Sequence, residues 1–174
     1  GNVFNIDSLS FPKGHLDGVK EANETIQLGS IDVLMTNPPF GSDIPITDPA
    51  ILGKYDLAAK WSKDDGGYSK TEGFQSAVAP EVLFIQRAVE WLRPGGRMGI
   101  VLPDGILGNP GDEYIRRWIL RHCWVLASVD LPVETFIVEA NVNILTSLLF
   151  LKKKSLTEIQ AEDLGKKVDY PVFM

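Results

Sequence analysis

The chain has 174 residues, 44% of them hydrophobic and 23% charged, which is enough apolar matter for one buried core and excludes a disordered, collagen-like or coiled-coil chain. Lys plus Arg total 17 against 23 for Asp plus Glu, and the resulting net charge of -6 argues against a generally basic nucleic-acid binder, so any such contact must be local or shared with a partner. A lone Cys123 excludes an internal disulfide, and with only His15 and His122 beside it no zinc spacing exists; a reduced, metal-free, cytoplasmic setting is predicted.

In chain order, Val3 to Ile6 reads as a short strand ending at Asp7, and Gly14 to Gly29 as a surface connection with weak helical spacing. Ile31 to Thr36 reads as a second strand, stopped at Asn37-Pro38-Pro39 because proline cannot continue a buried ladder. Residues 41–77 are the least regular part, a long lid-like insertion in which Lys54, Lys60, Lys63 and Lys70 alternate with aromatic residues and a larger number of acids. Pro80 to Leu92 carries the 3.6 period of an amphipathic helix in Val82, Ile85, Val89 and Leu92, and Pro94-Gly95-Gly96 ends it. Arg97 to Leu102 is a strand. Asp112 to Arg121 is a second helix, with acids in its first turn and Arg121 in its last, as the helix dipole favours.

Trp124 to Leu131 and Ile144 to Leu151 complete the strands. The connection between them has no helical period, so they should pair antiparallel, and Lys152, Lys153 and Lys154 read as a solvated edge. The apolar run of Ile144 to Leu151 is far short of the roughly 20 residues that span a bilayer, and no membrane partner is expected. Alternating strands and helices predict an α/β fold with a mostly parallel sheet and an antiparallel final strand. Residues 1–154 should form one domain and 155–174 the start of a following segment. Gly1 in place of an initiator Met and the apolar tail Pro171-Val172-Phe173-Met174 suggest a piece of a longer chain.

Asn37-Pro38-Pro39-Phe40 stands just past the C-terminal end of a predicted strand, where open α/β sheets bind ligands. The Asn37 side-chain oxygen and the Pro38 carbonyl are two neutral acceptors, held stiff by proline, and two acceptors can hold both hydrogens of one NH2 group. An exocyclic amine of adenine is a poor nucleophile because its lone pair is delocalised into the ring. Holding both N–H groups out of that plane localises the pair, and the nitrogen can then attack an electrophilic methyl group. Phe40 offers a flat surface for stacking, worth about 1 to 3 kcal/mol per base in comparable sites.

These residues resemble motif IV of the amino-methyltransferases that use S-adenosylmethionine on adenine N6. Leu83-Phe84-Ile85-Gln86-Arg87-Ala88 and Leu92-Arg93-Pro94-Gly95-Gly96 with Ile100-Val101-Leu102-Pro103 are similar to their motifs V and VI. Leu102-Pro103-Asp104-Gly105-Ile106-Leu107, Leu131-Pro132-Val133-Glu134-Thr135-Phe136 and Asn143 to Leu151 resemble the methylation subunits of type I restriction-modification systems. The resemblance implies a Rossmann-like methyltransferase fold, S-adenosylmethionine as cofactor, and DNA, a specificity subunit and a restriction subunit as partners. It implies that Asp7 accepts from the amino group of the cofactor adenine, that Phe84 packs on that ring, and that Phe136 stacks on the face of the flipped base opposite Phe40. The family's glycine-rich motif I and its ribose-binding acid have no counterpart here, so an incomplete sheet is expected, with two strands missing between those of Asp7 and Asn37. The alternatives are an amino-methyltransferase acting on glutamine or an RNA base, and a non-catalytic assembly module.

Overall fold

The computed structural model describes residues 1–41, 44–65, 67–135 and 144–174. Phe136 lies outside the described residues. Helix α1 spans Gly18–Thr25, strand β1 Ile31–Thr36, the one-turn α2 Pro49–Leu52, strands β2 Ala59–Asp64 and β3 Gly67–Phe74, and helix α3 Pro80–Trp91. Then follow β4 Leu92–Pro103, the short α4 Asp104–Gly108, α5 Glu113–His122, β5 Cys123–Leu131, β6 Thr146–Lys153 and α6 Leu156–Asp163.

The main sheet has the order β1-β4-β6-β5, with β1 parallel to β4 and β6 antiparallel to both its neighbours. The expected α/β architecture and antiparallel final strand are therefore both present. β6 enters the sheet between β4 and β5, in register from Pro103↔Thr146 to Arg97↔Lys152 on one side and from Leu131↔Thr146 to Cys123↔Lys153 on the other. Leu149 and Leu151 share the face of β6 that joins the main core and are buried, while Leu148 and Phe150 on the other face are half-buried. Pro94-Gly95-Gly96 does not separate a helix from a strand. β4 begins at Leu92, and Ile31 and Val33 of β1 pair with Leu92 and Arg97, so the intervening residues bulge out of the ladder.

Two layers of apolar packing hold this sheet. The larger cluster joins Val82, Leu83, Ile85 and Val89 of α3 to Met98, Ile100 and Leu102 of β4 and to Ile115, Trp118 and Ile119 of α5. The smaller one places Phe11 against Trp91, ring centroids 4.6 Å apart, with Ala22 of α1 beneath them. Burying one such large side chain stabilises by about 1.5 to 3 kcal/mol.

Four expectations need correction. Val3 to Ile6 forms no strand: Val3 is 94% exposed, and the segment is irregular up to the turn at Asp7. Phe4 and Ile6 pack against the Phe11, Ala22 and Trp91 cluster, and the Asn5 carbonyl accepts from the Gly18 amide at 3.2 Å; a Cβ on Gly18 would lie 2.6 Å from that backbone. Gly14 to Gly29 contains helix α1 rather than a plain connection, because Ala22 and Ile26 find a partner in Phe11 and Trp91. Residues 41–77 are not an irregular loop throughout: they contain α2 and an antiparallel hairpin, β2 with β3. The segment docks through Leu52, Tyr55, Leu57 and Ala58, all buried, and the Leu57 amide donates to Gln86 Oε1 of α3 at 3.1 Å.

Lys152 to Lys154 do not form a solvated edge. β6 is an interior strand, and Lys154 is 5% exposed, its ammonium held by Glu162 at 2.7 and 2.9 Å and by the Leu120 carbonyl at 2.6 Å, and set 4.1 Å from the Trp124 ring. Lys153 donates to the Leu92 carbonyl, and burial pushes its pKa down. Cys123 is fully buried and its thiol is pushed up to about 12 by that burial, so it packs as a small apolar residue.

Residues 155–174 fold back on the sheet. Ser155 and Glu158 form a capping box at the start of α6, the Ser155 hydroxyl accepting from the Glu158 amide and the Glu158 carboxylate accepting from the Ser155 amide. Phe173 pairs with β5 through Ser128 and Leu126 backbone bonds of 2.9 and 3.1 Å, extending the sheet beyond β5. Because the cap satisfies otherwise open amides, Ser155→Ala should lower unfolding stability by about 1 kcal/mol, read by urea denaturation.

Candidate functional site

β1 delivers Asn37-Pro38-Pro39-Phe40 at its C-terminal end, immediately after Thr36, which pairs with Ile100 of β4. Pro38 is buried and pins the turn, Phe40 is half-buried, and Asn37 is exposed. Among the described residues no partner takes the Asn37 side chain, so its amide oxygen keeps its acceptor capacity. The chain then turns at Gly41, whose φ of +116° suits a residue without a Cβ. The Gly41 amide donates to Glu81 Oε2 at 3.1 Å, and Ile46 and Val78 exchange two backbone bonds of 2.8 and 3.0 Å.

Beside this turn, Ser8, Leu34, Met35, Thr36, Phe84, Arg87, Ala88 and Trp91 line a pocket of about 180 Å³. It brings together three parts of the chain singled out from the sequence: Phe84 itself, Thr36 next to Asn37, and Ser8 next to Asp7. Phe84 also packs against the main core, so its ring serves both surfaces. Asp7 closes a turn, its two carboxylate oxygens accepting from the Leu9 amide at 3.0 Å and the Ser10 hydroxyl at 2.6 Å. Each oxygen retains a further acceptor position. The pocket has an aromatic wall from Phe84 and Trp91 and hydroxyls from Ser8 and Thr36 among its lining.

The Asp7 turn is fastened to α3 by a buried charged side chain of that helix. Arg87 is 4% exposed. Its Nε donates to the Tyr55 hydroxyl at 2.8 Å, its Nη2 to the Leu9 carbonyl at 3.0 Å, and its Nη1 pairs with Glu90 at 3.1 Å. The Tyr55 hydroxyl donates in turn to the same Leu9 carbonyl at 2.8 Å. Burial holds the Tyr55 phenol well above its usual range, so it stays a donor.

At the same end of the sheet, the Ser147 hydroxyl lies 2.7 Å from Asp104 and 3.1 Å from Asp130. Several of the basic residues are tied within the protein, whereas Lys54 and Lys60 make no ion pair among the described residues. Lys63 and Arg117 share Glu113, whose carboxyl is lowered by those two hydrogen bonds, while Lys70 pairs with Asp56 and Arg121 with Asp163. Arg116 donates to the Ile106 and Asn109 carbonyls. Sequence reasoning passed over Glu81 and Arg87. Glu81 looks like an ordinary first-turn acid, and the one clue to Arg87 was its spacing of four from Leu83, which puts it on the buried helix face.

Among the described residues no group of His, Cys, Asp and Glu could hold a metal ion, and no helix is long and apolar enough to cross a membrane. The chain is 27% identical over 160 residues to the type I restriction enzyme StySJI methylase subunit of Salmonella typhimurium, covering 90% of this chain and 22% of that protein. It is also 27% identical over 156 residues to the EcoKI methylase subunit of Escherichia coli, covering 88% and 21%. It thus spans about a fifth of the length of these curated relatives. Its fold is similar to part of the ATP-dependent type ISP restriction-modification enzyme LlaBIII solved with DNA, at a TM-score of 0.61 and 13% identity, over 97% of this chain and 12% of that one. The N-6 DNA Methylase family model matches residues 2–168, from the Asp7 turn through the Asn37 strand end to the tail beyond α6, and the chain belongs to that family.

Proposed function

We propose that this chain carries the target-amine half of an S-adenosylmethionine-dependent adenine N6 methyltransferase, working within the methylation subunit of a type I restriction-modification system. The observation that carries this reading is Asn37-Pro38-Pro39-Phe40 held at the C-terminal end of β1, with the Asn37 amide unclaimed among the described residues. When bound, S-adenosylmethionine supplies a methyl group on a positively charged sulfur.

The chain's own residues prepare the acceptor. Asn37 Oδ1 and the Pro38 carbonyl accept the two N–H groups of the adenine amine, so the nitrogen lone pair leaves conjugation with the ring and points at the methyl carbon. Phe40 stacks on the base, offsetting part of the few kcal/mol that extrusion from a duplex requires. Phe136 is the proposed second stacking face. Asp7 and Phe84 are the proposed contacts to the cofactor's adenine, Asp7 through its remaining acceptor positions and Phe84 through its ring. These residues would hold the amine while bound S-adenosylmethionine supplied the methyl group, with sulfur keeping the carbon–sulfur electron pair and water taking the surplus amine proton.

The acidic balance, 23 Asp plus Glu against 17 Lys plus Arg, fits a subunit that leaves most phosphate contact to a partner. DNA, a specificity subunit and a restriction subunit are the proposed partners. The test is transfer of tritiated methyl from S-adenosylmethionine by the full-length protein to DNA, RNA and glutamine-containing peptide. Label in N6-methyladenine of DNA supports the reading. Label in RNA or peptide alone points to the amino-methyltransferase alternative, and S-adenosylmethionine binding without label in any acceptor points to an assembly module.

A further inference from the structure

Glu81 is a buried carboxylate, 6% exposed, in the first turn of α3, and it faces no cation among the ion pairs of the described residues. A buried acid is costly unless its oxygens are hydrogen-bonded. Among the described residues its partner is the backbone amide of Gly41, the residue directly after Phe40. Gly41 has the positive φ that bends the chain away from the base-binding tetrapeptide. Five residues on, the returning chain is tied through Ile46 to Val78, just before α3. Gly41 and Ile46 are thus tied to the first turn of α3 and to the residue two before it, and the tie nearer the reacting amine is made by a side chain. Pro38 and Pro39 have no amide hydrogen, so they offer no donor for such a tie.

We infer that Glu81 is a positioning residue for methyl transfer: by accepting from the Gly41 amide, it sets the exit of Asn37-Pro38-Pro39-Phe40 and so the aim of the Asn37 oxygen and the Phe40 ring. The inference rests on the functional reading above. The carboxylate acts only through backbone, and a displacement of about 1 Å at a reacting centre can cost on the order of 10²-fold in rate. Glu81→Gln keeps an oxygen that can accept from Gly41, whereas Glu81→Ala keeps none.

The experiment compares both variants of the full-length protein by hydrogen exchange of the peptide spanning residues 37–41 and by steady-state methylation of DNA. With two of its five residues proline, that peptide reports Gly41 with little background. Glu81→Ala should speed its exchange about tenfold, the worth of one hydrogen bond, and Glu81→Gln should restore most of the protection. The turnover number should fall by about ten- to a hundredfold in Glu81→Ala with the Km for S-adenosylmethionine within about twofold, and recover in Glu81→Gln. Unchanged exchange in Glu81→Ala overturns the tie, whatever the activity. Faster exchange with unchanged turnover overturns its role in positioning. A wild-type protein that methylates no adenine instead overturns the functional reading and with it the catalytic consequence, while exchange still decides the tie.

Discussion

Asn37→Ala is expected to lower adenine methylation by on the order of 10²- to 10³-fold, the loss typical of removing one preorganised polar contact to a reacting centre. Calorimetry should find S-adenosylmethionine binding by the same full-length variant unchanged within about twofold, because Asn37 touches the amine and not the cofactor in the proposed arrangement. The mutation should also cost little stability, since the side chain is exposed and bonds to no other described residue. Asn37→Asp keeps acceptor oxygens of the same shape and should retain more activity than Asn37→Ala. Methylation by Asn37→Ala within threefold of wild type, roughly 0.6 kcal/mol by transition-state arithmetic, would remove the tetrapeptide from the chemistry.

Arg87→Ala should produce the largest loss of stability, about 3 kcal/mol, or roughly 6 to 12 °C in melting temperature for a domain of this size. The guanidinium is buried and bonds three groups at once: Tyr55, the Leu9 carbonyl and Glu90. Removing it leaves Glu90 without its cation and leaves Leu9 with the Tyr55 hydroxyl alone among these partners. It also opens a void beside Phe84 in the pocket that Arg87 lines. Arg87→Lys keeps the charge but not the fork that reaches Tyr55 and Leu9 together, so it should recover less than half of the loss. Differential scanning calorimetry of the three proteins checks the order. An Arg87→Ala melting point within 2 °C of wild type would contradict the network's structural weight.

The parts of the fold that were legible from the sequence are those governed by local pattern. The 3.6 period over Pro80 to Leu92 became α3, and the β-branched run before Asn37 became β1. The missing helical period between the last two apolar runs became an antiparallel pair. The Asn37 tetrapeptide was legible because two prolines after a strand force the chain out of the ladder at the edge where such sheets bind ligands. What misled was burial. Val3 to Ile6 has strand-like residues, but Val3 stands in solvent and no strand among the described residues pairs with the segment, so Phe4 and Ile6 pack on Phe11, Ala22 and Trp91 without joining a ladder. Lys154 has the composition of a solvated end, yet Glu162 and the Trp124 face approach it from α6 and β5.

By itself the sequence determined the chemistry on offer, two neutral acceptors and a flat ring at a strand end, and the α/β class that puts them there. Only the tertiary structure decided how they are held. Glu81 and Arg87 reach Gly41 and Leu9 across 40 and 78 residues of chain, and their roles depend on partners that no local pattern names. The same holds for the hairpin of residues 59–74, whose docking rests on buried Leu57 and on Gln86 of a helix further along the chain. Hydrophobic period is a property of neighbours in sequence. Satisfaction of a buried polar group is a property of neighbours in space, and it is settled only when the chain has closed around it.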